Sequence, residues 1–325
     1  MKKLNIKYAG LQLTSPVVVS SSSLTDSADK IKKLEEAGAG AVVLKSVFEE
    51  QIENEAGSMG DPSAFAEAGD YLRTYVRANT LDKHINLVKE TKKQVSIPVI
   101  ASINAYTDSE WEDFAVKLVD AGADAIEINI LAVQADTDYE FGSFEQSHVQ
   151  ILESIKKVVN VPVIMKLGRN LTNPVALMHK LMASGAAAVV LFNRFYQTDI
   201  DIENKEFRSG QVFSHAGDMS ESLRWTAVAS QRINNLDIAI SGGAASGEDV
   251  VKAILSGAKA VYVCSEIYRG GADVIGRMNE YLLTWLEKQG YASAESARGV
   301  VAEKVHGDIN PFERAQFMKY FASEK

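Results

Sequence analysis

Residues 120–130 read DAGADAIEINI, and this short stretch carries the signals that decide the fold. Its first half combines small residues with a glycine, which is typical of a chain that leaves a helix through a positive-φ turn. Its second half is rich in Ile, which favours a short buried strand. The residues before it, WEDFAVKLVDAG, carry apolar side chains three to four positions apart, which predicts a helix. The stretch therefore marks one passage from a helix into a strand.

The same passage recurs along the chain, and other apolar runs alternate with it. The three further copies are EAGAGAVVLKS (36–46), ASGAAAVVLFN (183–193) and LSGAKAVYVCS (255–265). The four runs between them are SPVVVSSS (15–22), IPVIASIN (97–104), VPVIMKLG (161–168) and LDIAISGG (236–243). Together they predict eight strands, at 16–20, 41–45, 98–103, 125–129, 162–167, 188–193, 237–241 and 260–264.

The alternation of strands with helical patterns predicts an α/β fold with parallel strands and right-handed crossovers. Eight such units close into a (β/α)8 TIM barrel, and we expect residues 1–325 to form one domain. The alternative is a doubly wound open sheet with an extra lobe. Three connections, 47–96, 131–160 and 194–235, are longer than one helix needs. We expect them to supply extended lid loops at the carboxyl ends of the strands, where barrel enzymes build their sites.

Composition excludes several classes of protein. Lys and Arg total 34 against 43 Asp and Glu, so the formal charge is −9, which disfavours a nucleic-acid surface. Cys264 is the single cysteine, which excludes an intrachain disulfide and an iron–sulfur centre in this chain. The five His residues lack ligand spacing, so no metal site is predicted. No signal peptide or 18-residue apolar run is evident, and a cytoplasmic location is expected.

Polar side chains and glycines stand where the predicted strands end, so a barrel would bring them to one mouth. They are Ser20 to Ser23, Lys45, Ser46, Asn104, Asn129, Lys166, Asn193, Arg194, Gly242, Gly243, Cys264 and Ser265. Asn and Ser can also simply start loops. Because Lys45 and Lys166 both lie on apolar strands, the set as a whole favours a ligand site.

The segment after the seventh predicted strand indicates which group the ligand carries. Glycines 242–243 precede Ser246, a predicted helix N-cap with Asp249 three residues later, and backbone amides there favour a phosphate group.

Glu127 and Asn129 lie two residues apart on one strand and so share a face. We expect Glu127 to lie deeper as the ion-pair partner of Lys166, and Asn129 to face the ligand.

The pattern resembles the dihydroorotate dehydrogenase family, in its soluble class 1 form. The resemblance rests on VVLKS (42–46), GADAIEIN (122–129), VPVIMKL (161–167), FN (192–193) and ISGGAASGEDVVKAILSGAKAVYV (240–263), in collinear order. It implies noncovalently bound FMN, a role in pyrimidine biosynthesis and a homodimer. The implied cofactor-binding residues are Ser20, Ser21, Lys45, Ser46, Asn129, Lys166, Gly217, Gly242, Gly243, Cys264 and Ser265. Lys45, Asn129 and Asn193 are the implied catalytic residues, and the substrate would contact these three together with Gln134 and Arg194.

The sequence departs from the family pattern on the substrate side. The family places a Cys or Ser general base where this chain has Ala132, which cannot accept a proton. Gln134 replaces an Asn, Arg194 replaces a small polar residue, and the AG of HAGD stands where GG is expected. A base could come from a lid loop, and the candidates are Tyr139, Glu140, His148, Tyr196 and His215.

Four functional hypotheses follow. The first is an FMN oxidoreductase that acts on dihydroorotate or a related carboxylated molecule. The second is a flavin-binding protein with little turnover, in an electron-transfer or regulatory role, which Ala132 favours. The third is a phosphate-binding barrel lyase or isomerase without flavin. The fourth is a relative that reduces uridine in tRNA, which the negative net charge disfavours.

Overall fold

The computed structural model describes residues 2–48, 66–104, 111–195 and 197–303, with side chains described throughout except at residues 2, 48 and 66–78. Its strands are β1 (Ile6–Tyr8), β2 (Leu11–Leu13), β3 (Val17–Val19), β4 (Ala41–Val43), β5 (Val47–Phe48), β6 (Val99–Asn104), β7 (Ala125–Asn129), β8 (Val163–Leu167), β9 (Ala188–Leu191), β10 (Thr198–Asp201), β11 (Glu206–Ser209), β12 (Asp237–Ser241) and β13 (Ala260–Val263).

Its helices, in the same described ranges, are α1 (Ala28–Glu36), α2 (Ala66–Gln94), α3 (Trp111–Asp120), α4 (Ser143–Val158), α5 (Pro174–Ala183), α6 (Ser220–Ser230), α7 (Gly247–Ser256), α8 (Ser265–Gly270), α9 (Asp273–Gln289), α10 (Ala294–Ala297) and α11 (Val300–Glu303). Three short 3₁₀ helices lie at Lys2–Leu4, Ser23–Thr25 and Ala216–Met219. No helix in the described part of the chain is both long and apolar enough to cross a membrane.

Eight parallel strands close into a barrel in the order β3-β4-β6-β7-β8-β9-β12-β13. The last strand pairs with the first, Tyr262 opposite Val18, so these eight strands form a closed barrel, and the short β5 is added alongside β6. The predicted (β/α)8 barrel is therefore confirmed, and the open-sheet alternative is wrong. Each of the eight predicted strands is present, with ends that differ by two residues at most.

The repeated glycine turns form as predicted. Gly122 and Gly257 follow α3 and α7 with φ of +109° and +114°, where a residue with a Cβ would be strained. The strands that follow them are buried along their whole length, because helices cover the outer face and the barrel core fills the inner one. The capping box predicted at Ser246 and Asp249 is also present at the start of α7.

Two hairpins lie outside the barrel sheet, one at each end of the barrel. The β1–β2 hairpin lies at the amino end, where the Tyr8 hydroxyl reaches the Tyr262 hydroxyl at 3.3 Å and the Ala9 amide donates to Asp237. The β10–β11 hairpin rises from the long connection after β9 at the carboxyl end and is largely exposed. The amino end is therefore plugged by the chain, and the carboxyl end is left for ligands.

Candidate functional site

A cavity of about 160 Å³ opens at the carboxyl ends of the barrel strands. It is lined by Ser20, Ser21, Lys166, Phe192, Asn193, Arg194, Val212, Ser214, Ser241, Gly242, Gly243, Ala244, Tyr262, Cys264 and Ser265. These residues follow or end β3, β8, β9, β12 and β13, or belong to the loop after β9. The barrel closure, which makes distant strand ends neighbours, therefore creates the cavity.

The floor of the cavity carries a buried ion pair. Lys166 is the penultimate residue of β8 and pairs with Asn129 of β7, and its Nζ lies 4.0 Å from Oε1 of Glu127. Glu127 is fully buried and Lys166 is 6% exposed. Burial raises the pKa of the Glu127 carboxyl, and the Lys166 charge opposes that rise. The predicted pairing of Lys166 with a deeper Glu127 is thus confirmed.

Two glycines form the part of the cavity wall against which the loop after β9 packs. Gly242 and Gly243 follow β12 with φ of +80° and +94°. A Cβ on Gly243 would lie 2.6 Å from the Met219 amide nitrogen and 2.8 Å from the His215 carbonyl oxygen. Only glycine therefore fits where these two backbones meet.

Residues 211–218, here called the strap, cross the mouth beside these glycines. Ser214 lies at the centre of the contact, and its Oγ accepts a hydrogen bond from the Gly243 amide at 3.1 Å. The Ser214 amide donates to Oγ of Ser265 at 3.0 Å, and the two hydroxyls lie 3.1 Å apart. The Ser214 hydroxyl thus contacts the Gly243 amide and the Ser265 hydroxyl, which are two groups that could hold an anion.

Three arginines fasten the strap by its backbone carbonyls. Arg194 donates to Val212 at 2.6 Å, Arg269 to Ser214 at 2.7 Å, and Arg169 to Asp218 at 2.8 Å. Arg169 and Arg194 follow β8 and β9, and Arg269 lies in α8, so three separate segments hold the strap. Its conformation rests on side-chain-to-backbone bonds and contains no sheet pairing, because both strands of the hairpin precede it.

Two asparagines form a polar pair at another side of the mouth. Asn193 Nδ2 donates to Asn129 Oδ1 at 2.8 Å, and Asn193 Oδ1 accepts from the Arg194 amide at 2.9 Å. Asn129 is buried and Asn193 is half-buried at the cavity wall. The pair can offer both donors and acceptors to a small polar ligand.

The family model for dihydroorotate dehydrogenase matches residues 3–286. The chain belongs to the dihydroorotate dehydrogenase family. It is 28% identical to the "Dihydroorotate dehydrogenase B (NAD(+)), catalytic subunit" of Thermoplasma volcanium over 94% of this chain and 100% of that one. The proteins with the same name from Methanosarcina acetivorans and Methanosarcina mazei are 29% and 30% identical, over 91% of this chain and 95% and 94% of theirs. The chain is accordingly a dihydroorotate dehydrogenase-like oxidoreductase.

Most of the cofactor-binding residues that the family resemblance implies line the cavity. They are Ser20, Ser21, Lys166, Gly242, Gly243, Cys264 and Ser265. Ser46 lies behind the cavity wall, and its Oγ is 2.8 Å from Oγ of Ser21. Asn129 accepts a hydrogen bond from Asn193, which lines the cavity. Burial raises the pKa of the Cys264 thiol, which keeps it neutral beside the glycines.

Other implied residues lie away from this cavity. Lys45 is half-buried near His84 of α2, and the Lys45 charge adds to the effect of burial in lowering the pKa of that imidazole. Gln134 is exposed on the loop after β7. Gly217 is exposed in the 3₁₀ helix at the end of the strap, with nothing within 4 Å of an added Cβ. Arg194 is at the wall, but its guanidinium is engaged by Val212 and by Asp218 at 3.7 Å.

The candidate replacement bases stay apart from the cavity in the described part of the chain. Tyr139 lies 3.5 Å from Glu145, and His148 is buried inside α4 against Phe144 with its pKa lowered by burial. Glu140 and His215 are exposed, while Tyr196 lies outside the described residues. None of the four described candidates lines the cavity.

Sequence reasoning missed two residues of the site, Ser214 and Ser102. Ser214 sits in a long loop without a motif, and only its tertiary contacts with Gly243 and Ser265 reveal it. Ser102 lies inside the apolar run IPVIASIN, where its burial and its contact with Glu127 mark it as unusual. A polar residue in a strand buried on both faces was the available signal for Ser102.

Proposed function

We propose that this chain is an FMN-dependent oxidoreductase that transfers a hydride between FMN and a small carboxylated molecule, dihydroorotate or an analogue. One domain would hold the cofactor and the substrate. The observation that carries the proposal is the convergence of a buried cation, two positive-φ glycines and a serine hydroxyl at one barrel mouth. The relatives' names, which specify dihydroorotate dehydrogenase activity, support the substrate class.

The donors in the cavity match the groups of FMN. The Gly243 amide already donates to an oxygen inside the cavity, and Ser265 stands beside it, so a phosphate oxygen could take the position of the Ser214 hydroxyl. Lys166 at the floor suits an electron-rich ring, because its charge is buried and shared with Glu127. When bound, FMN supplies the hydride acceptor, and the protein supplies binding, orientation and charge.

The substrate would lie between the asparagines and the strap. Asn129 and Asn193 offer amide donors and acceptors at one wall, and Arg194 lies next to Asn193. A substrate carboxylate could draw Arg194 away from the Val212 carbonyl into a charge-assisted pair. Lys45 and Gln134 would join this side only if the loops that carry them close over the substrate.

The test is one stopped-flow absorbance experiment on FMN-saturated full-length protein mixed anaerobically with dihydroorotate. Bleaching of the oxidised flavin band within seconds is the expected result. A protein that binds FMN but stays oxidised with dihydroorotate and with a panel of related carboxylates would contradict the proposed reaction. A protein that binds no FMN would contradict the proposed cofactor.

A second function is favoured by one residue. Ala132 occupies the family's base position, and its carbonyl accepts a hydrogen bond from Asn170 at 2.8 Å, which fixes the loop without a proton acceptor. The second candidate is therefore a flavoprotein with little dihydroorotate turnover. The Ala132→Cys variant separates the two: a gain of at least tenfold in the rate of flavin reduction would show that the missing base alone limits the reaction.

We also expect a homodimer in the cytoplasm. The β10–β11 hairpin exposes Ile200, Ile202 and Phe207, by 55%, 78% and 79%. Apolar side chains this exposed on one hairpin are typical of a protein–protein contact. Sedimentation of the wild type and of the Phe207→Ser variant tests the dimer, and a monomeric wild type would contradict it.

A further inference from the structure

A row of serine hydroxyls joins the cavity to the buried Glu127 carboxyl. Ser21 Oγ at the cavity wall lies 2.8 Å from Ser46 Oγ, which lies 2.7 Å from Ser102 Oγ. Ser102 Oγ in turn donates to Glu127 Oε1 across 3.4 Å, the longest link of the row. Glu127 has no exposure to solvent, so this row connects its carboxyl to the cavity.

Three separate segments contribute these hydroxyls, and their positions are well defined. Ser21 follows β3, Ser46 follows β4, and Ser102 lies within β6. The Ser46 amide donates to Ser21 Oγ at 2.9 Å, which holds the outermost hydroxyl in place. Each serine hydroxyl can donate one proton while it accepts another, so the row can pass a proton in either direction.

Two opposing effects act on the charge of the Glu127 carboxyl. Burial favours the neutral carboxyl, and Lys166 at 4.0 Å favours the carboxylate. The other titratable groups that face it are Tyr262 of β13 and Tyr8 of β1, whose pKa values burial raises, so both stay neutral. The Tyr262 hydroxyl also favours the carboxylate form of Glu127, and Oε2 has no partner at hydrogen-bonding distance among the described residues, so that oxygen can accept a proton.

We propose that Glu127 takes up a proton through Ser102, Ser46 and Ser21 when the cavity gains negative charge, as happens when bound FMN is reduced. This inference rests on the proposed cofactor. Bound FMN would accept the hydride, and the proton that the substrate loses would reach Ser21 through water in the cavity. Each serine would pass its own proton onward, and the Glu127 carboxylate would become a carboxylic acid. In a redox titration without substrate, water in the cavity supplies the proton.

Charge balance gives the reason for the uptake. Lys166 lies at the cavity wall and also pairs with Glu127, so an added negative charge in the cavity competes for the same cation. Two anions that share one buried cation are unfavourable, and protonation of one of them relieves the repulsion. A neutral Glu127 leaves Lys166 to the reduced cofactor. The row would thus perform the proton transfer that Ala132 cannot.

The first experiment is an infrared difference spectrum between the oxidised and reduced FMN-loaded full-length protein. A carboxylic acid C=O band should appear on reduction, shift in D₂O, and be absent from Glu127→Gln. The matched control is Ser256→Ala, which removes a buried serine whose hydroxyl bonds Ala253 within α7, and it should keep the band. A band that persists in Glu127→Gln, or a wild type without a band, overturns the inference.

The second experiment is the midpoint potential of bound FMN as a function of pH. The wild-type slope should exceed that of Glu127→Gln by about 30 mV per pH unit, the value for one proton in a two-electron couple. Equal slopes would overturn the uptake at Glu127. If Glu127→Gln does not fold, Ser102→Ala gives the answer: proton uptake, followed with an indicator dye, should slow at least tenfold, and an unchanged rate overturns the relay.

The outcomes separate this inference from the proposed function. A wild-type protein that binds no FMN overturns both. A protein that binds and reduces FMN but shows no carboxyl band overturns only the relay.

Discussion

The floor and the strap of the cavity are built in opposite ways. The floor consists of strand residues such as Glu127 and Lys166, which are buried and held by the register between β7 and β8. The strap, residues 211–218, is held by arginine side chains that bond its carbonyls, and most of its residues are exposed. A substitution in the floor should therefore destabilise the barrel, whereas a substitution in the strap should remove a single hydrogen bond. This contrast fits the sequence, in which the departures from the family lie in the loops.

The largest effect is expected at the floor, in Lys166→Met. This change leaves Glu127 buried without its cation and should lower the free energy of unfolding by about 3 kcal/mol at neutral pH. Because burial raises the pKa of Glu127 in the folded state, the loss is full above that pKa. It should shrink as the pH falls toward the ordinary Glu value of about 4.3, where the carboxyl is neutral in both states.

Urea unfolding at several pH values measures this loss. The control is the double variant Lys166→Met with Glu127→Gln, which removes the titrating group and should show no such pH dependence. A Lys166→Met protein as stable as the wild type at neutral pH would mean that the ion pair contributes nothing to the floor.

The next effect is expected where floor and strap meet, in Gly243→Ala. The added Cβ would lie 2.6 Å from the Met219 amide nitrogen, and the positive φ adds backbone strain, so a loss of about 2 kcal/mol in the free energy of unfolding is expected. FMN affinity should fall as well, because the strap must shift. Gly217→Ala is the matched control, since nothing lies within 4 Å of its added Cβ. Equal thermal unfolding midpoints for the two variants would show that the strap can move away from the added Cβ without a measurable loss of stability.

A smaller effect is expected in the strap itself, in Arg194→Gln. The loss of its bond to the Val212 carbonyl should cost about 1 kcal/mol or less in the free energy of unfolding, since the guanidinium is only half-buried. The Kd for FMN should change less than it does in Gly243→Ala. A larger loss than in Lys166→Met would reverse the contrast between floor and strap. Fluorescence titration with FMN and urea unfolding provide both quantities.

The smallest effect is expected at the hairpin, in Arg208→Gln. Arg208 pairs with Asp199 at 2.7 Å, but both side chains are about half exposed, and exposed pairs contribute little. Neither the unfolding midpoint nor the FMN affinity should change measurably. A clear loss of FMN affinity would show that the hairpin and the strap move as one unit.

The sequence by itself determined the barrel and most of its mouth. Eight strand patterns alternating with helices leave few topologies, and the glycine turns mark where each helix ends, because those signals are local in the chain. The positions of Lys166, Gly242 and Ser265 at the mouth follow from the strand ends alone. The pairing of Glu127 with Lys166 followed too, because a charge on a buried strand requires a partner.

Only the tertiary structure decided how the cavity is closed and connected. Ser214 of the strap is 29 residues away from Gly243 in the sequence, and no local sequence rule relates a loop hydroxyl to a distant glycine amide. The row from Ser21 to Ser102 spans three segments whose spacing is set by strand register, which a single sequence does not encode as a motif. Local patterns determine which elements form, whereas contacts between side chains far apart in the chain exist only once the barrel has closed.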